Sequence, residues 1–206
     1  MRDMDIYPLG HSSFRIKGKA ASIVTDPYDQ ETVGLKFPKV EADIVTASHD
    51  HKDHNAVSSV GGSPYIIKGP GEYEIKGIHI VGVSVFHDQK QGEEEGKNVM
   101  YQIIVDGVTL VHLGDLGHEL TPEQSKEIGT CDILFIPVGG VTTIDPSMAS
   151  EVAAQFEPKV IIPMHYKKED LDRFLKEMGK EDVVSIPKLS ITKDKLPEAT
   201  DVIVLE

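Results

Sequence analysis

The sequence has few basic residues, a single cysteine and no long apolar run, and each shortage excludes a class of protein. Lysine and arginine number 21 against 34 aspartates and glutamates, so the net charge is −13 with the histidines neutral. Because binding to a phosphate backbone relies on clustered Lys and Arg, we expect no nucleic-acid partner. The one cysteine, Cys131, cannot form an internal disulfide, which is consistent with a reducing cytoplasm.

The chain also lacks the segments that direct a protein to or across a membrane. No apolar run approaches the roughly 20 residues needed to cross a bilayer, and residues 1–5 lack the basic region and apolar core of a signal peptide. We therefore expect no membrane association and a cytoplasmic location. The length of 206 residues suits one sizeable domain, and no Pro/Gly/Ser-rich linker divides it. We expect a single domain over residues 1–206 and leave open whether it forms a homo-oligomer.

The most informative stretch is a His-x-His-x-Asp-His pattern formed by His49, His51, Asp53 and His54. It follows an apolar run at residues 43–47 that predicts a short buried strand. Because residues two apart at a strand end point the same way, the first two histidines can bind one ion together. The last two residues lie past the bend and can face a neighbouring position. Imidazole and carboxylate are the ligands expected for zinc, iron or manganese, and the spacing disfavours a chance cluster in a polar loop.

The rest of the chain is typical of an α/β protein with two blocks of strands. Strands are predicted at residues 6–9, 13–16, 21–25, 65–67, 72–75, 78–86, 100–105, 109–113, 133–137 and 160–163, and near Val183 and Val202. Helices are predicted after the histidine cluster from residue 55, from Thr121-Pro122, from Asp145-Pro146 and over residues 168–178. Irregular loops are expected at residues 30–40 and 89–98. Two strand blocks, each followed by helices, indicate a pair of sheets between helical layers.

Three further candidate ligands share the structural position of His49, directly after a predicted strand. His87 follows the strand at 78–86, Asp115 follows the strand at 109–113, and His165 follows the strand at 160–163. Sites in layered α/β folds form where several strand ends converge. A shared site is therefore favoured over independent polar positions.

These motifs and their order resemble the metallo-β-lactamase superfamily. The resemblance runs from about Leu9 to Tyr166. Within the superfamily, the surrounding motifs resemble the small hydrolases similar to ascorbate-phosphate lactonase. They are residues 9–14 (LGHSSF), Asp26-Pro27, Gly114-Asp115, residues 137–140 (PVGG) and residues 162–166 (IPMHY).

The resemblance implies an αββα sandwich of two mixed β-sheets flanked by helices, with a two-metal site at one edge. Carried over by position, it implies a first metal held by His49, His51 and His87, a second held by Asp53, His54 and His165, and Asp115 bridging them. Zinc is the expected metal, with manganese or iron as alternatives. The implied activity is hydrolysis of a small ester, lactone, thioester or phosphoester. A hydroxide that bridges the metals would attack, and Asp53 would orient it or accept its proton.

Several other polar residues are candidates for the pocket around the metals. His118 follows Asp115 closely enough to reach a substrate, and we predict a catalytic role for it. His11, beside a glycine, is predicted to line the pocket or to support a ligand. Asp26 is placed to accept a hydrogen bond from a ligand histidine, although capping of a turn is equally compatible with Asp-Pro. Tyr166 can polarise a substrate oxygen or simply pack.

Two residues are predicted to stay outside the chemistry. His112 lies three residues before Asp115 on the same strand, so it should point to the opposite face as a hydrogen-bonded structural histidine. Cys131 begins a strand in apolar surroundings and is predicted to be a buried, inert thiol.

Two alternative functions use the same fold. A di-iron redox protein typically has glutamate at the position of His51, and this chain has histidine there. A metal-binding or regulatory protein without turnover is the other alternative, which the complete ligand set disfavours. The substrate is not identified from the sequence, because specificity depends on loops such as residues 30–40 and 89–98.

Overall fold

Two mixed β-sheets stacked on each other form the body of this computed structural model, which describes residues 3–206. In chain order the strands of that part are β1 (Met4–Gly10), β2 (Ser13–Lys17), β3 (Ser22–Thr25), β4 (Val40–Glu41), β5 (Ile44–Thr46), β6 (Val60–Gly61), β7 (Tyr65–Ile67), β8 (Gly71–Ile75), β9 (Ile78–Phe86), β10 (Lys97–Val105), β11 (Val108–His112), β12 (Ile133–Pro137), β13 (Val160–Met164), β14 (Leu189–Ile191) and β15 (Asp201–Val202). Its α-helices are α1 (Gln30–Val33), α2 (Pro122–Ile128), α3 (Pro146–Phe156) and α4 (Lys168–Glu177), and short 3₁₀ turns lie at Val57–Ser59 and Lys193–Lys195.

The order of strands places the ends of β9, β11 and β13 on one edge of the second sheet. The first sheet has the order β14-β1-β2-β3-β5-β7, and the second has the order β15-β13-β12-β11-β10-β9-β8. Strand β10 is antiparallel to both β9 and β11, so those two run in the same direction. Strands β11, β12 and β13 are parallel. The residues that follow β9, β11 and β13 therefore meet at one edge.

The main core lies between the two sheets. Alternate residues of each strand face inward because strand side chains alternate with a period of two. The first sheet contributes residues such as Ile6, Ile16 and Ile23, and the second contributes residues such as Ile80 and Ile103. The other face of the second sheet packs on α2, α3 and α4. Strands β12 and β13 are buried along their whole length because this sheet is covered on both faces.

The predicted α/β sandwich of two mixed sheets flanked by helices is confirmed. Local signals in the sequence account for two of the helices. Thr121 and Gln124 form a capping box at the start of α2, and Asp145 caps the N-terminus of α3. The hairpin turn at Asp106-Gly107 adopts the two positive φ values that this pair tolerates.

Four local predictions are wrong. The segment 30–40 is not irregular throughout, because Asp29 caps the short helix α1 and β4 begins at Val40. The segment after the histidine cluster forms a 3₁₀ turn at Val57–Ser59 and not an α-helix, because the Ala56 N–H bonds to the Pro27 carbonyl and β6 begins at Val60. No strand forms at Val183, whose region is exposed; β14 instead pairs with β1 further on. The loop at 89–98 is shorter than predicted because β10 begins at Lys97.

None of the helices in residues 3–206 is both long and apolar enough to span a membrane.

Candidate metal centre

The predicted ligands converge around the carboxylate of Asp115. One of its oxygens, Oδ2, lies 3.2 Å from His54 Nε2, 3.4 Å from His87 Nε2 and 3.1 Å from His165 Nε2. The side chains of His54 and Asp115 are almost fully buried, whereas that of His165 is 18% exposed. The strand ends therefore bring imidazoles from three parts of the chain onto one carboxylate.

The side chains form two groups on either side of Asp115. In each group the possible ligand atoms lie within 4.8 Å of one another. The first group contains His49, His51 and His87, and the second contains His11, Asp53, His54 and His165. A third set, His49, His54 and Asp115, links them. This division matches the predicted one, with His11 added to the second group. We call these sets the first group and the second group below.

Several inward-facing atoms have no hydrogen-bond partner. They are His11 Nε2, His49 Nε2, His54 Nε2 and Asp115 Oδ1, and each is buried. Leaving a buried polar atom unpaired costs about 1–3 kcal/mol, so several at one place require an explanation. Neutral imidazole nitrogens and carboxylate oxygens are ligands for divalent metals. The residues present therefore fit bound metal ions.

A buried network around Asp26 holds two of the histidines in place. The Asp26 carboxylate accepts hydrogen bonds from the Ser48 N–H at 2.8 Å and the Ser48 hydroxyl at 2.6 Å, and lies 2.8 Å from His54 Nδ1. The Ser48 Oγ in turn lies 2.9 Å from His49 Nδ1. Because Nδ1 of each ring is hydrogen-bonded, its Nε2 points toward the centre. A hydrogen bond at the other ring nitrogen is the usual way in which a metal-binding histidine is oriented. The hydrogen bond expected between Asp26 and a candidate ligand histidine is present.

His87 and the backbone of Asp115 are also held by hydrogen bonds, and the sequence gives little or no indication of their partners. His87 Nδ1 lies 2.8 Å from the Thr142 carbonyl. Buried Asn98 donates to the Leu113 carbonyl at 2.8 Å and accepts from the Asp115 N–H at 3.2 Å, which fixes the backbone that carries the central carboxylate. Ser48 is detectable as a neighbour of His49, but a backbone carbonyl such as that of Thr142 leaves no side-chain signal.

Three residues of the centre have a strained backbone. His11, Asp26 and His165 have φ values of 53°, 39° and 52°, a region that residues other than glycine rarely adopt. Each such residue costs on the order of 1–3 kcal/mol and is kept only where the surroundings enforce it. Gly114 also has a positive φ, and a Cβ there would collide with Asn98 and Ser48. The strain therefore marks a site whose side chains are held in fixed positions.

The electrostatics of the cluster depend on the pair formed by Asp115 and His54. Burial alone would raise the pKa of Asp115, but His54 and His165 outweigh it and hold that pKa well below its usual range. Burial would lower the pKa of His54, but Asp115 and Asp26 outweigh it and raise the pKa well above its usual value. His49 behaves oppositely, because burial and the neighbouring His54 lower its pKa to about 3. The buried carboxylates of Asp115 and Asp26 therefore favour positive charge at this centre.

The structure gives His118 a different environment from the predicted one. Its Nε2 accepts a hydrogen bond from the Phe86 N–H at 3.1 Å, and its Nδ1 lies 2.6 Å from the Glu119 carbonyl. Both ring nitrogens are thus engaged with backbone groups, which leaves none for proton transfer. A catalytic role for His118 remains a prediction that this geometry does not support.

The two residues predicted to stay outside the chemistry are buried. His112 Nε2 donates to the Ser12 carbonyl at 2.9 Å, and its Nδ1 accepts from the Gly114 N–H at 3.1 Å. Its ring packs against Phe14 and Phe135 in the core between the sheets. Cys131 is buried, and burial raises the pKa of its thiol.

A cavity of about 960 Å³ opens onto the second group. His11 and His165 form part of its wall, and Tyr166 lies beside them. Burial, together with the nearby Glu206, raises the pKa of Tyr166 to about 12. Its hydroxyl therefore stays protonated at neutral pH and is able to donate a hydrogen bond to a bound molecule.

Comparison with known proteins places the chain in a family. Residues 5–165 match the β-lactamase superfamily domain, and the chain belongs to that superfamily. Within it, the chain belongs with the proteins named UPF0173 metal-dependent hydrolase. The one from Pelotomaculum thermopropionicum is 30% identical over an aligned length of 193; the match covers 79% of this chain and 84% of the relative. The one from Thermococcus onnurineus is 28% identical over an aligned length of 185; the match covers 77% of this chain and 82% of the relative. The superfamily predicted from the sequence is confirmed.

Solved structures agree with this assignment. A crystal structure from Thermotoga maritima, assigned to the zinc-dependent hydrolases of the metallo-β-lactamase superfamily, is 38% identical, and covers 98% of each chain with a TM-score of 0.82. CmlA, a diiron β-hydroxylase from Streptomyces venezuelae, has a TM-score of 0.62 at 11% identity, covering 93% of this chain and 54% of that one. At that identity the similarity concerns the fold alone.

Proposed function

We propose that this protein is a binuclear metal-dependent hydrolase that acts on a small-molecule ester, lactone, thioester or phosphoester. The supporting observation is the convergence of three Nε2 atoms on Asp115 Oδ2, together with the buried imidazole and carboxylate atoms around it that have no hydrogen-bond partner. The first group would hold one ion, the second group would hold the other, and Asp115 would contact both. Zinc is the expected metal, with manganese or iron as alternatives. The UPF0173 relatives, named metal-dependent hydrolases, support the same activity.

Two divalent ions would supply Lewis-acid activation of the substrate and a water made acidic enough to react at neutral pH. The protein's own contribution is to fix the ligands and to handle the proton. Asp26, Ser48 and the Thr142 carbonyl hold three histidines with Nε2 facing inward. Preorganised ligands of this kind need no rearrangement during the reaction.

Asp53 is the proposed proton acceptor. Its Oδ2 lies 3.4 Å from His11 Nε2 and 3.7 Å from His54 Nε2, and its side chain is 26% exposed. The carboxylate thus contacts two histidines of the second group while remaining partly exposed. His11 is placed to stabilise the Asp53 carboxylate, and Tyr166 is placed to donate a hydrogen bond to the substrate oxygen.

The alternative of a di-iron redox protein has less support. The similarity to CmlA, at 11% identity, concerns the fold alone, and His51 stands where that branch typically has glutamate. A protein that binds metal without turnover does not explain the cavity of about 960 Å³ beside His11 and His165.

Metal content and hydrolysis test this proposal together. We expect about two equivalents of zinc or manganese per chain after reconstitution and desalting, measured by elemental analysis. Hydrolysis of a panel of nitrophenyl esters and phosphoesters should disappear on chelation and return with added metal. A metal content near zero at saturating metal would refute the proposal. Two equivalents without hydrolysis of any substrate class would favour the binding protein without turnover.

A further inference from the structure

We infer that the substrate is an uncharged carboxylic ester or lactone with an apolar acyl part longer than acetyl. The acyl part would lie between Leu35 and Val141 at the mouth of the cavity beside the second group. This inference rests on the proposed function and selects among its substrate classes.

The cavity has the size and position of a substrate pocket. Its volume of about 960 Å³ lies at the upper end of the range typical of small-molecule sites. One wall is formed by His11 and His165, so an occupant contacts the candidate metal centre directly. Another wall is the buried ring of Tyr28, which packs edge-on against Phe37 and against His11. The pocket therefore joins an aromatic wall to the polar centre.

Two exposed apolar side chains lie at this cavity. Leu35 is 50% exposed and Val141 is 87% exposed, and both line it although they lie in distant parts of the sequence. Single exposed apolar residues need no explanation. Two on the same cavity, next to unpaired metal-ligand atoms, are explained by an apolar group that covers them when it binds.

The loop that carries Val141 is tied to the candidate centre on both sides. The Thr142 carbonyl accepts the hydrogen bond of His87 Nδ1. Gly139 lies so close to the His165 carbonyl that any Cβ there would collide with it. An acyl group that rests on Val141 is thus held at a fixed distance from both groups of ligands.

Apart from the metal-binding groups, the side chains that line the cavity do not favour a phosphoester. Its two cations, Lys36 and Lys167, are exposed, and Asp170 and Glu206 line the same cavity. Asp170 also accepts the Lys167 N–H at 3.4 Å, which places a carboxylate at the start of α4. Sites for phosphoryl groups normally present arginine forks or free backbone N–H groups.

The test compares three chromogenic substrates on the metal-loaded protein: p-nitrophenyl acetate, p-nitrophenyl hexanoate and bis(p-nitrophenyl) phosphate. Each CH₂ buried in an apolar site is worth about fourfold in affinity, so we expect kcat/KM for the hexanoate to exceed that for the acetate by at least about tenfold. The phosphodiester should be the poorest of the three. A phosphodiester preference, or no gain with acyl length, would overturn the inference while the hydrolase function stands.

Variants locate the apolar contact. Val141→Ser and Leu35→Ser should each lower the hexanoate-to-acetate ratio of kcat/KM by about fivefold, since each removes part of the apolar surface. Val184→Ser and Ile66→Ser are matched controls, because Val184 is 83% exposed and Ile66 is 50% exposed and neither lines this cavity. The controls should keep the ratio within about twofold. Equal changes in test and control variants would overturn the assignment.

A binding measurement separates this inference from the proposed function. NMR titration of the metal-free protein with 2-octanone and 2-butanone needs no catalysis. We expect 2-octanone to bind at least about tenfold more tightly, and Val141→Ser to remove most of that preference. If no ester is hydrolysed but the ketone preference is found, the proposed function fails and the apolar pocket stands. Equal binding of both ketones would overturn the inference.

Discussion

The two groups of candidate ligands differ in what holds their histidines. In the first group, His49 and His87 are oriented by neutral acceptors, the Ser48 hydroxyl and the Thr142 carbonyl. In the second group, His54 is oriented by the buried carboxylate of Asp26, and Asp53 adds a negative charge among the ligands. The second group therefore attracts a cation more strongly, whereas the first depends more on geometry.

Asp115 connects the two groups. Its Oδ2 contacts His87 from the first group and His54 and His165 from the second, at 3.1–3.4 Å. Its carboxylate is nearly inaccessible, so its charge is compensated by the surrounding histidine rings and not by solvent. Whether the two groups act as one centre therefore depends on this one residue.

The largest effect is expected from Asp115→Ala, which removes the shared carboxylate. We expect loss of metal from both groups, with content falling from about two equivalents to well below one. Elemental analysis after desalting gives the result, with far-UV circular dichroism as a check on folding. Asp50→Ala is the control, because Asp50 is an exposed aspartate of the same motif outside both groups. Loss of only one ion, or of none, would refute the bridging role.

A pair of variants, one in each group, should each remove a single ion. His51→Asn and His165→Asn take away one imidazole each, and asparagine tolerates the positive φ at position 165. We expect about one equivalent of metal to remain in each variant, because the other group keeps its ligands and Asp115. The same elemental analysis decides this. If either variant lost both ions, the groups would not be independent sites.

The supporting network allows a finer comparison. Asp26→Asn should weaken metal binding in both groups, since Asp26 contacts His54 directly and His49 through Ser48. Ser48→Ala should weaken the first group alone. Loss of such outer contacts typically costs about 10–100-fold in metal affinity, and we expect the serine variant to lie at the low end. Competition with a chelating dye measures both affinities.

The control for this pair is Ser59→Ala, because Ser59 is an exposed serine of the neighbouring 3₁₀ turn. It should leave both affinities unchanged. If Ser48→Ala weakened both ions equally, the relay through Ser48 would not be specific to the first group.

The features that could be predicted from the sequence are those indicated by neighbouring residues. The candidate ligands could be brought together from the sequence because four of them are nearly contiguous and the others follow strands with strong apolar patterns. Helices α2 and α3 were predictable from Thr121-Pro122 and Asp145-Pro146, which are local capping signals. The pairing of sheets followed from the blocks of strands and helices.

The predictions that the structure contradicts or does not support depend on contacts that local sequence signals do not reveal. The turn after His54 is set by a hydrogen bond from Ala56 to Pro27, which overrides local helix propensity. Proximity of His118 to Asp115 in sequence says nothing about side-chain direction, and both nitrogens of that ring bond to backbone groups. The role of Thr142 rests on a carbonyl that every residue possesses.

The smallest effect on metal is expected at a histidine that belongs to neither group. His112→Ala should keep the full metal content, because the ring bonds to the Ser12 carbonyl and the Gly114 N–H and faces the core between the sheets. It should nevertheless lower the free energy of unfolding by about 2–4 kcal/mol, since it leaves a cavity and an unpaired N–H. Elemental analysis and denaturant unfolding of the metal-free protein measure the two effects separately. His79→Ala is the control, because His79 is 58% exposed and its loss should change stability by less than about 0.5 kcal/mol. A clear fall in metal content for His112→Ala would mean that loss of the hydrogen bond to the Gly114 N–H also displaces Asp115. His112 would then not be independent of the candidate metal centre.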